Sequence, residues 1–349
     1  MRKKRKLTLV GSLCLALALP AVSFMAACAA PTPTTKPITN IMIAAGRVGD
    51  SWYVLSEALA YQINHKSDWL RATVVATPGT TGDYELAMKD PGEYIFIGEL
   101  GNQFYMARDP YGKAYDYYDK ARFIGTAASL SWLWVTYDSE IKTPQDFVGK
   151  TVDVGRKAAA NTPDELAVLE EWGVLDKVKL AYSGFGGGKN SLKDGLVDIA
   201  DMLYDHIYPA GISKGALITD LETRGPIYYI GMDPDMIEKL RTEERFAGFA
   251  VRIPPGALDP KTQPKELYAA SLAPFWAADE RMDPDIVYEV TRILYESAGE
   301  FSTWHPQGAH LTKTFIPASP LDLKDTHPGA QKYYDEHGIE VVSLAELLR

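Results

Sequence analysis

Cysteine is almost missing from this chain of 349 residues, and Cys14 and Cys28 are the only two. Both lie in the first 28 residues, so the rest of the chain has neither a catalytic thiol nor a disulfide of its own. Histidine is scarce too: His65, His206, His305, His310, His327 and His337 make up the whole set. None sits in an HExxH pattern, and His305 and His310 flank Pro306 and Gly308 at a spacing that does not suit a metal, so they read as solvent or loop histidines. There is no GxSxG elbow and no EF-hand loop. The run Ser183–Gly–Phe–Gly–Gly–Gly–Lys–Asn190 fails as a phosphate loop: Asn190 stands where the magnesium-binding hydroxyl belongs, and Ser183 where the first glycine belongs. It reads instead as a flexible loop before a helix. Positive charge is in deficit, with 36 Lys+Arg against 46 Asp+Glu and a formal charge of −10. That argues against nucleic acid as a partner, although an acidic protein can still hold an anion in a locally positive pocket. Nothing marks out a catalytic residue, a metal ligand or a cofactor, so no enzyme activity is expected.

What is present begins with an export signal. Arg2 to Lys6 is a run of five cations, residues 7–20 are apolar but short for a bilayer span, and Met25–Ala–Ala–Cys28 follows. Residues 1–27 are therefore expected to be a signal peptide of the lipoprotein type. Cys28 would be the lipidated residue and residues 28–37, rich in Pro and Thr, a tether to the membrane. An ordinary signal cut after Ala-x-Ala is the alternative. Without the signal, 31 Lys+Arg face 46 Asp+Glu, a formal charge near −15. The expected location is extracytoplasmic.

From residue 38 onward, short apolar strands alternate with amphipathic helices. Strands are expected at 38–45, 70–76, 94–98, 123–126, 132–137, 151–154, 178–182 and 198–203. Helices are expected at 51–65, with Leu55, Ala58, Leu59 and Ile63 on one face, and at 83–89, 162–172, 190–196 and 284–302. Alternation of this kind implies parallel βαβ units, an α/β fold in two lobes with at least two crossings, and a ligand cleft at the C-terminal ends of the strands. Residues 38–137 plus 249–349 are assigned to lobe 1 and residues 138–248 to lobe 2, with the apolar stretch 246–253 carrying the chain back. Asp233–Pro–Asp235 and Asp283–Pro–Asp285 read as helix starts.

Four stretches resemble the TAXI class of extracytoplasmic solute receptors, which serve TRAP transporters. They are Gly46–Arg–Val–Gly–Asp–Ser–Trp–Tyr–Val–Leu55, Ala76–Thr–Pro–Gly–Thr80, residues 141–155 (IKTPQDFVGKTVDVG) and His327–Pro–Gly–Ala–Gln–Lys–Tyr–Tyr334. The likeness runs in order from residue 38 to 339. It implies a two-lobed receptor of the type II periplasmic-binding kind that closes on a small carboxylate or amino acid, with TRAP permease subunits as partners. ABC-importer and sensory receptors share that fold and remain the alternative, with an exported enzyme weaker still. This chain departs from the family's glycine-rich loops at Arg47, Asp50, Pro78 and Arg156. Its second-lobe loop, Gly155–Arg–Lys–Ala–Ala–Ala–Asn–Thr162, lacks the family's internal glycines.

Candidate ligand-binding residues follow from these loops. Arg47 and Arg156, one per lobe, would clamp a carboxylate, because a planar guanidinium pairs with it through two bonds. Val48, Ser51, Pro78, Gly79 and the hydroxyls of Thr77 and Thr80 line the first-lobe loops. Asn161 and Thr162 stand at a helix start as caps, ligand donors or both. Trp52, Tyr53, Trp132 and Tyr204 would be aromatic walls, and Asp205 a partner for an ammonium or hydroxyl group.

Overall fold

A computed structural model describes residues 36–98, 119–157, 161–207, 211–243, 245–246, 248–321 and 323–348. Residues 37–349 form one compact unit, and its strands fall into two main sheets. The first sheet is opened by β1 (Thr39–Ala44), β2 (Leu70–Val75) and β3 (Tyr94–Gly98), all parallel, with helix α1 (Ser51–Lys66) connecting the first two and α2 (Thr80–Lys89) the next. β4 (Ala121–Thr126) completes this sheet only through β13 (Phe275–Asp279), which inserts antiparallel between β3 and β4. The strand order is therefore β2-β1-β3-β13-β4.

The period-2 alternation of β1 decides its two faces. Ile41 and Ile43 pack under α1, whose Leu55, Ala58, Leu59 and Ile63 are fully buried on the face expected from their spacing. Each such aliphatic side chain removed from water contributes about 1.5–3 kcal/mol. The opposite face collects Ala44, Phe96, Phe123, Phe275 and Phe315.

The second sheet is built on β5 (Leu130–Thr136), β6 (Thr151–Asp153), β7 (Lys179–Ala181) and β8 (Ile199–Ile207). β6 runs parallel to both β7 and β8, while β5 is antiparallel to β8. Helices α3 (Thr162–Glu171) and α4 (Gly184–Lys193) connect these strands. Further along come β9 (Gly211–Ser213), α5 (Gly215–Glu222), β10 (Tyr228–Ile230), α6 (Pro234–Thr242), β11 (Phe249–Ile253) and β12 (Leu267–Leu272). β9 to β12 all pair antiparallel. On one face Trp132 and Trp134 of β5 pack with Val168 and Leu169 of α3 and Ile237 and Leu240 of α6. On the other, Leu133 and Val135 meet Leu192 of α4 and Ile218 and Leu221 of α5.

Among the described strands the chain passes from the first sheet to the second at residues 127–129 and returns at 273–274. The two crossings are bound to each other: Ala127 N–H donates to Pro274 O (2.8 Å), and the buried hydroxyls of Ser129 and Ser271 lie 3.0 Å apart. A division by sheet thus differs from one drawn at 137 and 249, because β5, β11 and β12 belong to the second sheet. The apolar pattern of 246–253 does not reveal its backbone partner. Its strand pairs β12, yet Phe249 and Val251 send their side chains into the first sheet's core.

Two helices differ from expectation. The long helix expected over 284–302 stops after α7 (Pro284–Glu296): Gly299 turns left-handed at φ +88°, its N–H bonds Leu311 O at 2.8 Å, and a 3-10 turn follows. Asp283 and Asp233 cap their helices as expected, each accepting the N–H two residues on, at 2.8 and 2.9 Å. The glycine run that reads as a flexible loop is the first half of α4. The C-terminal HPGAQKYY stretch is structural: His327 caps α8 (Pro328–Glu336) by accepting Gly329 N–H, Tyr333 and Tyr334 are buried, and the Tyr334 hydroxyl donates to Ile124 O of β4. A last helix, α9 (Leu344–Leu347), buries Leu344 beside Phe315.

Candidate functional site

The candidate loops follow the C-terminal ends of parallel strands: 45–50 after β1, 76–79 after β2, 154–157 after β6 and 182–183 after β7. In the first sheet a buried carboxylate of α2 ties two of them together. Asp83 is 1% exposed, and one of its oxygens accepts Gly46 N–H at 3.0 Å and the Thr77 hydroxyl at 2.6 Å. Thr77 N–H in turn donates to Gly46 O at 2.8 Å. Burial pushes the Asp83 carboxyl up to about 6, against the two hydrogen bonds that lower it. Thr77 is therefore a strut between loops, with its hydroxyl engaged internally. Above it Arg47 is exposed, and its Nε donates to Pro78 O at 3.0 Å, which leaves the terminal nitrogens for solvent or a ligand. Val48 is 73% exposed, an apolar side chain held out at the loop tip.

Gly79 takes φ +144° at the start of α2, and Thr80, the first helical residue, is half-buried. Ser51, Trp52 and Tyr53 form the half-buried first turn of α1; Trp52 packs on the first-sheet core, while partial burial and nearby Glu57 raise the Tyr53 hydroxyl.

In the second sheet Arg156 and Lys157 are exposed beyond β6. Arg156 lies across the first residue of α4: a Cβ on Gly184 would come within 2.8 Å of its Cγ, and Gly184 has φ +73°. Only glycine meets both conditions, which explains why the glycine run begins there. Lys157 stands over the Tyr182 ring at 5.2 Å.

Asn161 and Thr162 are turned inward. Thr162 donates its hydroxyl to Arg156 O at 2.6 Å, closing the loop on itself, and Asn161 Nδ2 donates to Glu165. Neither is a side-chain cap. Asn161 occupies the cap position with helical φ −79° and ψ −22°, whereas a capping side chain needs an extended backbone.

The expected aromatic walls Trp132 and Tyr204 stand in the core instead, 0% and 1% exposed on opposite faces of the second sheet. Trp132 meets the Trp134 ring edge-on at 5.7 Å, and burial raises the Tyr204 hydroxyl. Their strands are interior to the sheet and covered by helices on both faces. Asp205 sits in β8 opposite Leu130, but its side chain and Cys28 lie outside the described residues. His305 caps a short turn by accepting Gln307 N–H, whereas His310, expected at a surface or in a loop, is fully buried beside Phe315 because that turn folds under the chain.

The sequence reading missed the buried acids. Asp153, Asp164, Glu165 and Asp201 are all 0% exposed. One signal for them was present: Asp201 shares the period-2 face of Ile199 and Leu203 in the apolar first half of β8. No group of three His, Cys, Asp or Glu among the described residues is arranged to hold a metal ion.

The structure is similar to several solved ones. A TctC solute binding protein from Polaromonas matches at 15% identity over 80% of this chain and 90% of its own, with a TM-score of 0.49. MatC from Rhodopseudomonas palustris, solved with bound malate, matches at 12% over 90% and 100%, with a TM-score of 0.47. The periplasmic aliphatic sulphonate binding protein SsuA from Escherichia coli matches at 12% over 90% and 98%, with a TM-score of 0.41. By sequence, residues 43–338 match the NMT1-like family, and the chain belongs to that family.

Proposed function

We propose that this protein is an extracytoplasmic solute receptor. It captures a small organic anion, a carboxylate above all, between its two lobes and hands it to TRAP-type permease subunits, with Cys28 as its lipid anchor. The observation that carries the reading is the placing of Arg47 and Arg156. Each is exposed on a loop at the C-terminal end of a parallel strand, one per sheet, and neither forms an ion pair with the described residues. A carboxylate bridging both guanidinium groups favours the closed arrangement by its extra contacts there, and the bonded crossings at 127–129 and 273–274 supply a flexing point. Ser51, Tyr53 and Thr80 remain as further polar contacts on the first-lobe side, Trp52 as its aromatic floor and Val48 as its apolar rim. Transport is the role; no catalytic step is assigned.

A thermal-shift screen against carboxylates, amino acids and aromatic acids identifies the solute, because ligand bound only to the folded state raises its stability by mass action. Arg156→Ala is expected to weaken affinity for the hit at least tenfold, the scale of losing a charge-assisted bond of roughly 1.5–3 kcal/mol, with the melting of the unliganded protein nearly unchanged. Unchanged affinity removes Arg156 from the site.

A further inference from the structure

Asp83 of α2 reaches two loops through a single oxygen, which accepts Gly46 N–H at 3.0 Å and the Thr77 hydroxyl at 2.6 Å. Gly46 and Thr77 are the residues immediately before Arg47 and Pro78, and Arg47 Nε donates to Pro78 O at 3.0 Å. The two backbones are also joined directly, since Thr77 N–H donates to Gly46 O at 2.8 Å. The Arg47–Pro78 bond at the surface thus stands on a pair of residues held from below by one carboxylate.

Burial separates the two levels. Asp83 is 1% exposed, whereas Arg47 and Pro78 are exposed. A surface bond from a long side chain to a loop carbonyl is weak by itself, because ordering that side chain costs about as much as the bond contributes. A buried acceptor with two donors fixes the two backbones first, and the surface bond then closes between partners already in register. The sequence around Asp83 serves the same contact. A Cβ on Gly82 would come within 2.8 Å of Pro78 Cδ and 3.1 Å of Thr77 Cβ, so the 77–78 loop lies against a bare turn of α2. Gly46 takes φ +70°, a conformation open to glycine, and its N–H meets Asp83 in that turn.

A guanidinium pairs with a carboxylate either side-on, through Nε and one terminal nitrogen, or end-on, through both terminal nitrogens. The Pro78 carbonyl takes the Nε, which closes the side-on mode. No ion pair among the described residues claims the other two nitrogens. We propose that Asp83 is a positioning residue for Arg47: by fixing Gly46 and Thr77 it holds the guanidinium on Pro78 O and leaves only the end-on pair of nitrogens for a carboxylate. The ligand's part in this rests on the receptor reading, whereas the tie from Asp83 to Arg47 stands without it.

The test reads Arg47 itself, through the exchange of its Nε–H with water followed by 15N NMR at one pH. In the wild-type chain this proton should exchange more slowly than that of free arginine. Asp83→Ala should bring it to the free rate. Asp83→Asn should keep it slow, because one amide carbonyl can accept the same two donors that one carboxylate oxygen accepts now. If Asp83 only stabilised the fold, Asp83→Ala would melt earlier yet keep the Nε–H protected, and that result overturns the inference. So does a wild-type Nε–H that already exchanges at the free rate. Acetate, as the simplest carboxylate probe, is then titrated against the Arg47 signal. Half-saturation should need about threefold more acetate, or beyond, in Asp83→Ala than in wild type or Asp83→Asn, the scale of ordering one long side chain on binding. Equal midpoints, or no response in any of the three, overturn the orienting role. A thermal-shift screen without a carboxylate hit would instead overturn the receptor reading and leave the Nε–H result standing. Should Asp83→Ala not fold, Thr77→Val takes its place: it removes one of the two donors and should speed Nε–H exchange, and an unchanged rate there overturns the inference.

Discussion

The loop systems of the two sheets both sit on buried carboxylates, but they satisfy them in different ways. Asp83 under the first-sheet loops accepts two neutral donors, the Thr77 hydroxyl and Gly46 N–H. In the second sheet several acids are buried: Asp153 accepts from the N–H groups of Gly155 and Ser183, Glu165 accepts from Asn161 Nδ2, and Asp201 is 0% exposed in β8. A buried acceptor with fixed donors is a strut between the segments that supply them, and burial makes its contribution depend on pH. The first lobe therefore ties two loops through one carboxylate, whereas the second buries four acids, Asp153, Asp164, Glu165 and Asp201.

The strongest way to break this contrast is Asp83→Ala. It leaves the Gly46 N–H and the Thr77 hydroxyl without their acceptor, and an expected loss of about 2–3 kcal/mol is measurable by denaturant unfolding. A loss below half of that would mean that water replaces Asp83 without cost, and the strut description would fail. Next comes Gly184→Ala, which strains a positive φ and pushes on the Arg156 stem. A cost of about 1–2 kcal/mol is expected, together with weaker solute binding if Arg156 is moved. Thr77→Val keeps the shape and removes the hydroxyl, for an expected loss of about 1 kcal/mol.

The smallest effect sharpens the contrast through pH. His327 is buried and held down to about 4, mainly by burial. Its contribution is present above the ordinary histidine value of 6.5 and is lost as pH falls through about 4. Asp83, held up to about 6, has the reverse sense: its contribution is present below the ordinary aspartate range and is lost as pH rises through about 6. His327→Gln should therefore flatten the acid limb of the stability-against-pH curve and leave the neutral limb alone. Flattening of the neutral limb instead would reverse the assignment.

Much of the fold was legible because it is local. The 3.6 period of α1, the 2 period of β1 and the Asp–Pro–Asp starts of α6 and α7 are written within a dozen residues each, and burial follows them. The site was legible only as loops. Sequence spacing placed Arg47 and Arg156 beyond strand ends, where they are exposed, but it also offered Thr77, Asn161, Thr162, Trp132 and Tyr204, all of which the fold turns inward. A side chain's type says what it can bond, whereas the neighbours that claim that bond come from distant segments.

By itself, then, the sequence determined where many of the strands and helices lie, where several helices start, the lack of thiol chemistry and the excess of negative charge, since each of these depends on neighbours along the chain or on counts. Tertiary structure alone decided that β13 inserts between β3 and β4, that β5, β11 and β12 join the second sheet, and that Asp153, Asp164, Glu165 and Asp201 are buried. Those pairings join residues tens to hundreds of positions apart, and strand order and the company of a buried charge are properties of packing, which no local pattern encodes.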